Sequence, residues 1–459
     1  MSDLFSSLTA ATRALEAQRY ALDVTGQNIA NVNTPGYSRR VVDFASVPPD
    51  TPRSAGRGVD VVAVRATRDR MIEQRLLQEL PAEQREAAIA EALSVVETTL
   101  GTSGKSIDAR LSEFFDAFST LADGPTSSVA RSEVVMQGGA LASAFNSMAG
   151  RIDASRRDAD NKVRASVEAI NSLAERISAL NHSIASAGPG QSTLHLQDQQ
   201  GELLRELSGL VDISALDHGD GVVDVTYGNG RPLVVGRSAY TLDMASTPPT
   251  GLATLSSGGV NVTAEITGGR LGGLLQVRDV NIPDYQNRLD TLAFTVATEV
   301  NAVHGAGYDQ AGNTGNAFFT PLATAAGAAR ALAVDPAVAA DTSRIAAASV
   351  AQAGDNGTAK ALAGLATTRV LDGGTATLSD SWSRLVYRVG RDTQAATQEQ
   401  ASRQDIVSQV EALRDQVSGV SLDEEAMQLM RFQRAYEANA RFFQAIDQAL
   451  ETLLQTLGR

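Results

Sequence analysis

The chain has 459 residues, a formal net charge of −14 and no cysteine. The missing thiols remove disulfides, thiolate zinc sites and cysteine nucleophiles together, and no Lys/Arg-rich run supplies the basic stripe a nucleic-acid binder needs to displace counterions. With 43% hydrophobic but only 5% aromatic residues, a core must rest on Leu, Val, Ile and Ala, which suits closely packed helices.

At roughly 100–200 residues per domain, the length predicts two to four domains. The acidity reads as a well-solvated surface. No run approaches the roughly 18 apolar residues of a membrane span, so membrane insertion is not expected. The N-terminal MSDLFSSLTAATRAL lacks a basic stretch followed by a long apolar block. No cleaved secretory signal is therefore predicted, and export would need another route.

Leu4, Leu8, Ala11, Leu15, Gln18, Leu22, Thr25 and Ile29 follow one another at alternating spacings of four and three. That is a heptad seam on a helix. One of its rows, Leu8, Leu15, Leu22 and Ile29, is wholly apolar. A turn follows. Asn31 and Asn33 can bond back to local backbone groups. Thr34 is disfavoured in the α region because it precedes Pro35. Pro35-Gly36, followed by Tyr37, fits the central positions of a type II turn.

Val59 to Val64 reads as extended. Helical patterns run to about Leu100 and again from Ile107 to Leu121. The longest continues from about Ser128 to Ala187, with Val163, Ser166, Ile170, Leu173, Ile177, Leu180 and Ile184 in strict three–four spacing, and Gly188-Pro189-Gly190 ends it. After Leu210 the character changes. Val222 to Tyr227, Gly228-Asn229-Gly230 and the following PLVVG predict a hairpin, and Gly259 to Thr267 alternates in the same way. Helix returns from about Leu274 to Val303. Gly305 to about Ala340 is Gly/Asn/Ala-rich and loop-like. A last long helical region runs from Leu378 to Val417, with Ile406, Val410, Leu413 and Val417 on one face.

Gly419 is a break, and Ser421 with Glu424 reads as a capping box. Beyond it Leu429, Phe432, Tyr436, Asn439, Phe443, Ile446, Leu450, Leu453 and Leu457 repeat the three–four alternation of the N-terminus. The predicted class is mainly α with a smaller β module, in a discontinuous multi-domain chain. Residues 1–60 and 419–459 form a terminal domain. Residues 61–210, 270–305 and 345–418 form a helical domain. Residues 211–269, open to extension by 306–344, form an outer β-rich module. Isolated amphipathic helices are marginal in water. The end helices therefore either pair with each other or become ordered on assembly, and the second case describes a chain built to polymerise.

No site chemistry emerges. The four histidines, His182, His195, His218 and His304, form no HExxH arrangement. His182 and His195 only flank the Gly-Pro-Gly break. Gly101-x-x-Gly104-Lys105-Ser106 lacks P-loop spacing and reads as a helix–helix turn. Asp309, Asn313 and Asn316 miss the spacing of an EF-hand loop and read as turn residues. Asp423-Glu424-Glu425 sits in a first helical turn, where acids favour the positive dipole end. No catalytic, cofactor-binding or metal-binding residue is assigned, no cofactor is expected, and the chain is not expected to be an enzyme.

The segment from Gly26 to Arg39, GQNIANVNTPGYSR, closely resembles the N-terminal motif of the flagellar axial protein family of rod, hook and hook-associated subunits. Its NTPGYSR ending looks most like the hook-associated, junction branch. The C-terminal SGVSLDEEAMQLMRFQRAYEANARFF resembles the other end of that family, and Ser418 to Glu425 again favours the junction branch. Gly272-Gly273-Leu274-Leu275, His304-x-x-Gly307-Tyr308-Asp309 and Phe318-Phe319 are similar to its central region. One departure is that Ala-rich sequence follows Phe319 where larger members carry a further β domain, so the outermost domain is expected to be absent or reduced.

The resemblance implies a structural subunit outside the cell, in the junction zone between hook and filament. The terminal helices would form an inner coiled-coil layer and assemble helically. Implied partners are copies of itself in a ring-like zone, the hook protein and a second hook-associated junction protein. Before export, a cytoplasmic chaperone at the C-terminal helix and the flagellar type III export apparatus are implied. The expected assembly interface comprises Leu8, Leu15, Leu22, Ile29, Asn31, Asn33, Pro35, Gly36 and Tyr37 with Leu429, Phe432, Tyr436, Phe443, Ile446, Leu450 and Leu453. Another axial subunit, a hook or distal rod protein, is the alternative. The long helical region from about 68 to 187 argues against it. A hydrolase or adhesin on an axial scaffold is a third reading, with no nucleophile–base pairing in its favour.

Overall fold

A computed structural model describes residues 2–48, 57–101, 106–188, 192–248 and 250–457. Pro189, Gly190, Gly104 and Lys105, and the side chain of Leu457, lie outside the described residues. In chain order the elements are α1 (Ser2–Ala30), β1 (Arg40–Ser46), β2 (Val59–Ala66), α2 (Arg70–Gly101), α3 (Ile107–Asp123), α4 (Ser128–Ala185) and α5 (Leu194–Leu210). Then come β3 (Ile213–Asp217), β4 (Val223–Tyr227), β5 (Arg231–Val235), β6 (Ser238–Ala239), β7 (Asp243–Thr247), β8 (Leu252–Ser257) and β9 (Val260–Asn261). The chain ends with α6 (Gly269–Gln276), α7 (Ile282–Ala306), α8 (Ala328–Ala331), α9 (Pro336–Ala340), α10 (Gly357–Gly364), α11 (Leu378–Ser418) and α12 (Leu422–Leu457). The fold is mainly α with smaller sheets.

Two discontinuous units result. The first comprises Met1–Pro81, Ala169–Leu242 and Arg403–Arg459; the second comprises Ala82–Glu168 and Asp243–Ser402. In the first unit β1 and β2 make an antiparallel hairpin with a bulge between Asp43 and Phe44. β3, β4, β5 and β6 form an antiparallel sheet in that order. Its central hairpin turns at Gly228-Asn229-Gly230, where Gly228 and Gly230 have φ of 51° and 85°. Asn181 of α4, buried in this unit, donates to Val223 O at 2.8 Å and accepts from Val223 N at 3.2 Å, tying the helix to the sheet.

The second unit holds the large apolar core. Phe114 and Phe118 of α3 meet Phe318 and Phe319, with ring centroids 4.9 to 5.7 Å apart. α4 passes so close that a Cβ on Gly138 would stand 2.8 Å from the Phe318 ring. Arg278 sits in a π-helical turn, Val277–Asn281, between α6 and α7. Buried there, it donates to Asp160 at 2.6 Å and to Ala253 O at 2.8 Å, which anchors α7 to α4 and β8.

Segment 211–269 is not one β module. β3–β6 belong to the first unit, whereas β7, β8 and β9 form a separate three-stranded sheet in the second. Of the alternating run Gly259 to Thr267 only Val260–Asn261 is strand, and Thr263–Glu265 is a 3₁₀ turn. Residues 306–344 do not extend a sheet either. They wind through short helices and two isolated bridges, Tyr308↔Ala348 and Phe319↔Val334, and place Phe318 and Phe319 in the core. A loop-like composition there conceals two buried aromatic anchors.

Candidate assembly interface

α1 runs out at Ala30 and the chain turns back on local bonds. Asn31 Nδ2 donates to Gln27 O at 2.9 Å, and Thr34 Oγ1 to Asn31 Oδ1 at 3.1 Å. Asn33 stands exposed beside it. Tyr37 N donates to Thr34 O at 3.2 Å, closing the turn over Pro35-Gly36, with Gly36 at φ 76°. That is the type II geometry, which demands a left-handed residue in the third position. Gly36 is also buried, and a Cβ there would lie 3.1 Å from Glu202 Oε2. Pro35 is exposed and Tyr37 half-buried.

The turn brings Tyr37, Arg39 and Arg40 onto Asn28, in the last turn of α1. Asn28 Oδ1 accepts from Tyr37 Oη at 2.8 Å and from Arg40 N at 3.0 Å. Its Nδ2 donates to Arg40 O at 2.9 Å and to Glu425 Oε2 at 3.0 Å. Every donor and acceptor of the amide is engaged, as burial to 1% exposure requires. Glu425, in the first turn of α12, also receives Arg39 Nε at 2.7 Å, while Arg39 Nη2 reaches Glu424 at 3.2 Å. Arg39 N donates to Ser418 O at 2.9 Å, so the last residue of α11 joins the same cluster. A buried carboxylate is tolerable here because it is paired and hydrogen-bonded.

Arg40 extends the network outward. Its guanidinium lies 5.1 Å from the Tyr37 ring centre and 3.3 Å from Asp198, which also takes Arg68. Burial raises the Tyr37 pKa above its ordinary value, opposed by Arg40, which keeps the phenol a proton donor to Asn28. The capping box is half formed. Glu424 N meets Ser421 Oγ at 3.5 Å, but the Glu424 carboxylate lies at Arg39.

From this joint α1 and α12 run side by side and antiparallel. α1 buries Ala11, Ala17, Ala21, Val24 and Thr25, while Leu8, Leu15, Leu22 and Ile29 are only half-buried. Of the seam read from the sequence, Ala11 and Thr25 are thus buried and the leucine row is only half-buried. On α12, Ile446 is buried; Leu429, Phe432, Asn439, Phe443 and Leu450 are half-buried; Tyr436 and Leu453 are exposed. Phe432 packs on Phe44 of β1, ring centres 6.3 Å apart. The pairing leaves apolar groups over. Phe5, Tyr20, Met427, Met430 and Phe442 are about half or more exposed.

A cleft of about 460 Å³ opens beside the turn, lined among others by Ser38, Leu77, Leu204 and Val223. Its charges are paired: Arg68 with Asp198, Arg70 with Asp217 at 3.1 Å, Arg205 with Glu73 at 3.4 Å. Among the described residues no group of three His, Cys, Asp or Glu side chains is placed to hold a metal ion. Asp309 accepts from Ala311 N and Asn313 N, both at 2.8 Å, and from the side-chain amides of Asn313 and Asn316. The two asparagines thus point donors at the carboxylate, the arrangement of a turn and not of a cation cage. His304 is wholly buried between Asn316 O and Ala346 N.

The central region, residues 93–319, matches the family described as flagellar hook-associated protein FlgK helical domain. Residues 8–37 match the flagella basal body rod proteins, and residues 415–456 the flagellar basal body rod FlgEFG protein C-terminal family. Along the full length, the chain is 29% identical to flagellar hook-associated protein 1 of Bacillus subtilis, covering 100% of this chain and 99% of that one. The chain is thus similar to flagellar hook-associated protein 1 from end to end. The same protein of Escherichia coli is 26% identical to it over 99% of this chain and 100% of its own. The fold is shared with the flagellar hook junction protein FlgK from Burkholderia pseudomallei, at a TM-score of 0.67 and 17% identity, over 75% of this chain and 100% of that one. The rod-protein matches fall on α1 with its turn and on α12, the two segments that the Asn28–Glu425 joint holds together. Asn28, Glu425, Arg39 and Arg40 are absent from the interface read from the sequence. Glu425 gave one signal, an acid in a first helical turn.

Proposed function

We infer that the chain is a structural subunit of the bacterial flagellum that occupies the junction between hook and filament and assembles through its paired terminal helices. The observation that carries this is the exposed apolar surface left on α1 and α12 after they have paired, at Phe5, Tyr20, Met427, Met430 and Phe442. Burying such side chains is favourable by about 1.5–3 kcal/mol each, and a neighbouring copy presents the same surface. The half-buried leucines of α1 and the aromatic residues of α12 belong to the same interface, together with the turn over Pro35-Gly36.

The further assignments follow from that role. The protein acts outside the cell and does no catalysis. It meets the hook protein on one side and a second junction protein on the other. It leaves the cell through the flagellar type III apparatus without signal cleavage, with a chaperone shielding α12 beforehand, because exposed Met and Phe side chains are an aggregation hazard. The first unit's terminal segments form the inner layer. The outermost domain is reduced. In support, the alignment with the Escherichia coli relative runs over 551 residues against a chain of 459, so the relative carries sequence this chain lacks. No helix among the described residues is long and apolar enough to cross a membrane.

Gold-labelled antibody against the native subunit tests the position. Label confined to a narrow zone between hook and filament is expected. Label along the whole hook would instead favour the reading as a hook or rod subunit, which the matches of both terminal segments to rod-protein families keep in view.

A further inference from the structure

The half-exposed apolar rows of α1 and α12 are nearly periodic. Leu8, Leu15, Leu22 and Ile29 recur every seven residues on one helix, as Leu429, Tyr436, Phe443 and Leu450 do on the other. Sliding one helix past its partner by a heptad, roughly 10 Å at about 1.5 Å per residue, sets apolar side chains opposite apolar side chains again. Apolar burial is non-directional and discriminates weakly between such registers. A single buried polar contact discriminates strongly, because slippage leaves both of its members buried without partners.

Among the described residues the pair has one such contact, at its end. Asn28 is 1% and Glu425 2% exposed, and 3.0 Å separates Nδ2 from Oε2. Asn28 is itself fixed by Tyr37 Oη and by both backbone polar groups of Arg40, so it cannot follow Glu425 if α12 slides. Glu425 is held from its other oxygen by Arg39 at 2.7 Å.

We propose that Asn28 and Glu425 are positioning residues that select one register of the terminal helix pair out of the heptad-spaced alternatives. The register determines where Phe5 and Tyr20 stand relative to Met427, Met430 and Phe442. It therefore sets the spacing of apolar groups a neighbouring copy would meet. That consequence rests on the assembly reading above; the register itself does not.

The chain has no cysteine, so Thr9→Cys and Arg431→Cys, both at exposed helical positions, accept spin labels without background. Dipolar distance measurement on the full-length chain is expected to give one distribution. Adding Glu425→Leu, which removes the buried charge while Arg39 keeps Glu424, is expected to give a second population. It should be displaced by up to about 10 Å, the rise of seven residues. The melting temperature is expected to fall as well, because removing one member of a buried contact leaves Asn28 Nδ2 without its acceptor, so the distance distribution is the readout of register. A merely structural role would lower the melting temperature and leave one distance. One unshifted distance in the Glu425→Leu chain overturns the proposal. Should that chain lose helicity by circular dichroism, Glu425→Gln decides: a broadened or split distribution supports the pin, an unchanged one overturns it.

Discussion

At position 36 two independent constraints coincide, a φ of 76° and a Glu202 carboxylate 3.1 Å from where a Cβ would be. Gly36→Ala is expected to destabilise by about 1–2 kcal/mol from the left-handed backbone alone, read as a shift in denaturant midpoint; no shift would contradict the turn assignment. His304 titrates in a different window. Burial holds its pKa below the ordinary value; the bond to Asn316 O opposes that shift, and the nearby Arg131 charge reinforces it. The unfolded chain takes up a proton near pH 6.5 and the folded chain only at lower pH, so the unfolded state binds more protons in between. Stability therefore falls as pH drops below about 6.5. The melting temperature is expected to decline from pH 7.5 to 5.5, and to decline less in His304→Gln. Asp309 acts later. Its pKa is lowered because hydrogen bonds from Asn313, Ala311 and Asn316 outweigh burial, so its contribution is lost only as pH falls through the carboxylate range, below about 4. The Pro35-Gly36 turn was legible because it is local. Asn28 was not, because its decisive partner lies 397 positions away.

Three long helices could be read from periodicity alone; α3, α4 and α11 begin and end within a few residues of where the apolar spacing starts and stops, whereas α5, as long as α3, was not read. The short strands β7 and β8 could not. Their sequences, DMAST and LATLSS, are Ser/Thr-rich, and only the small Ala253 and one leucine, Leu255, are buried. On α1 the spacing identified an amphipathic helix, and of the seam it picked out Ala11 and Thr25 are buried while the leucine row stays half-buried, since Ala and Leu rows are both apolar and only the partner decides which is covered. On the proposed function α12 carries the assembly role at this scale. A chain ending at Gly419 is expected to keep the second unit's core and its cooperative melting, because every residue of that core precedes position 397. The same chain is expected to fail to incorporate into flagella when supplied to cells lacking the full-length protein. Normal filament growth on it would remove α12 from the account.

The whole molecule joins its two ends while the chain between them builds a second unit with its own core. Discontinuity of this kind was visible in the sequence as two heptad seams flanking a long interior. The division of the strands between two units was not, because strand pairing is non-local and leaves little trace in a single sequence. Pairing within the chain satisfies the Asn28 amide completely but the apolar seams only in part, and that imbalance is what assembly would relieve. Hydroxyl-radical footprinting of the free subunit and of isolated hook–filament junctions measures this directly. The reactivity of Phe5, Tyr20, Met427, Met430 and Phe442 should fall several-fold on assembly. Equal reactivity in both states would contradict the claim that the terminal helices are the assembling surface.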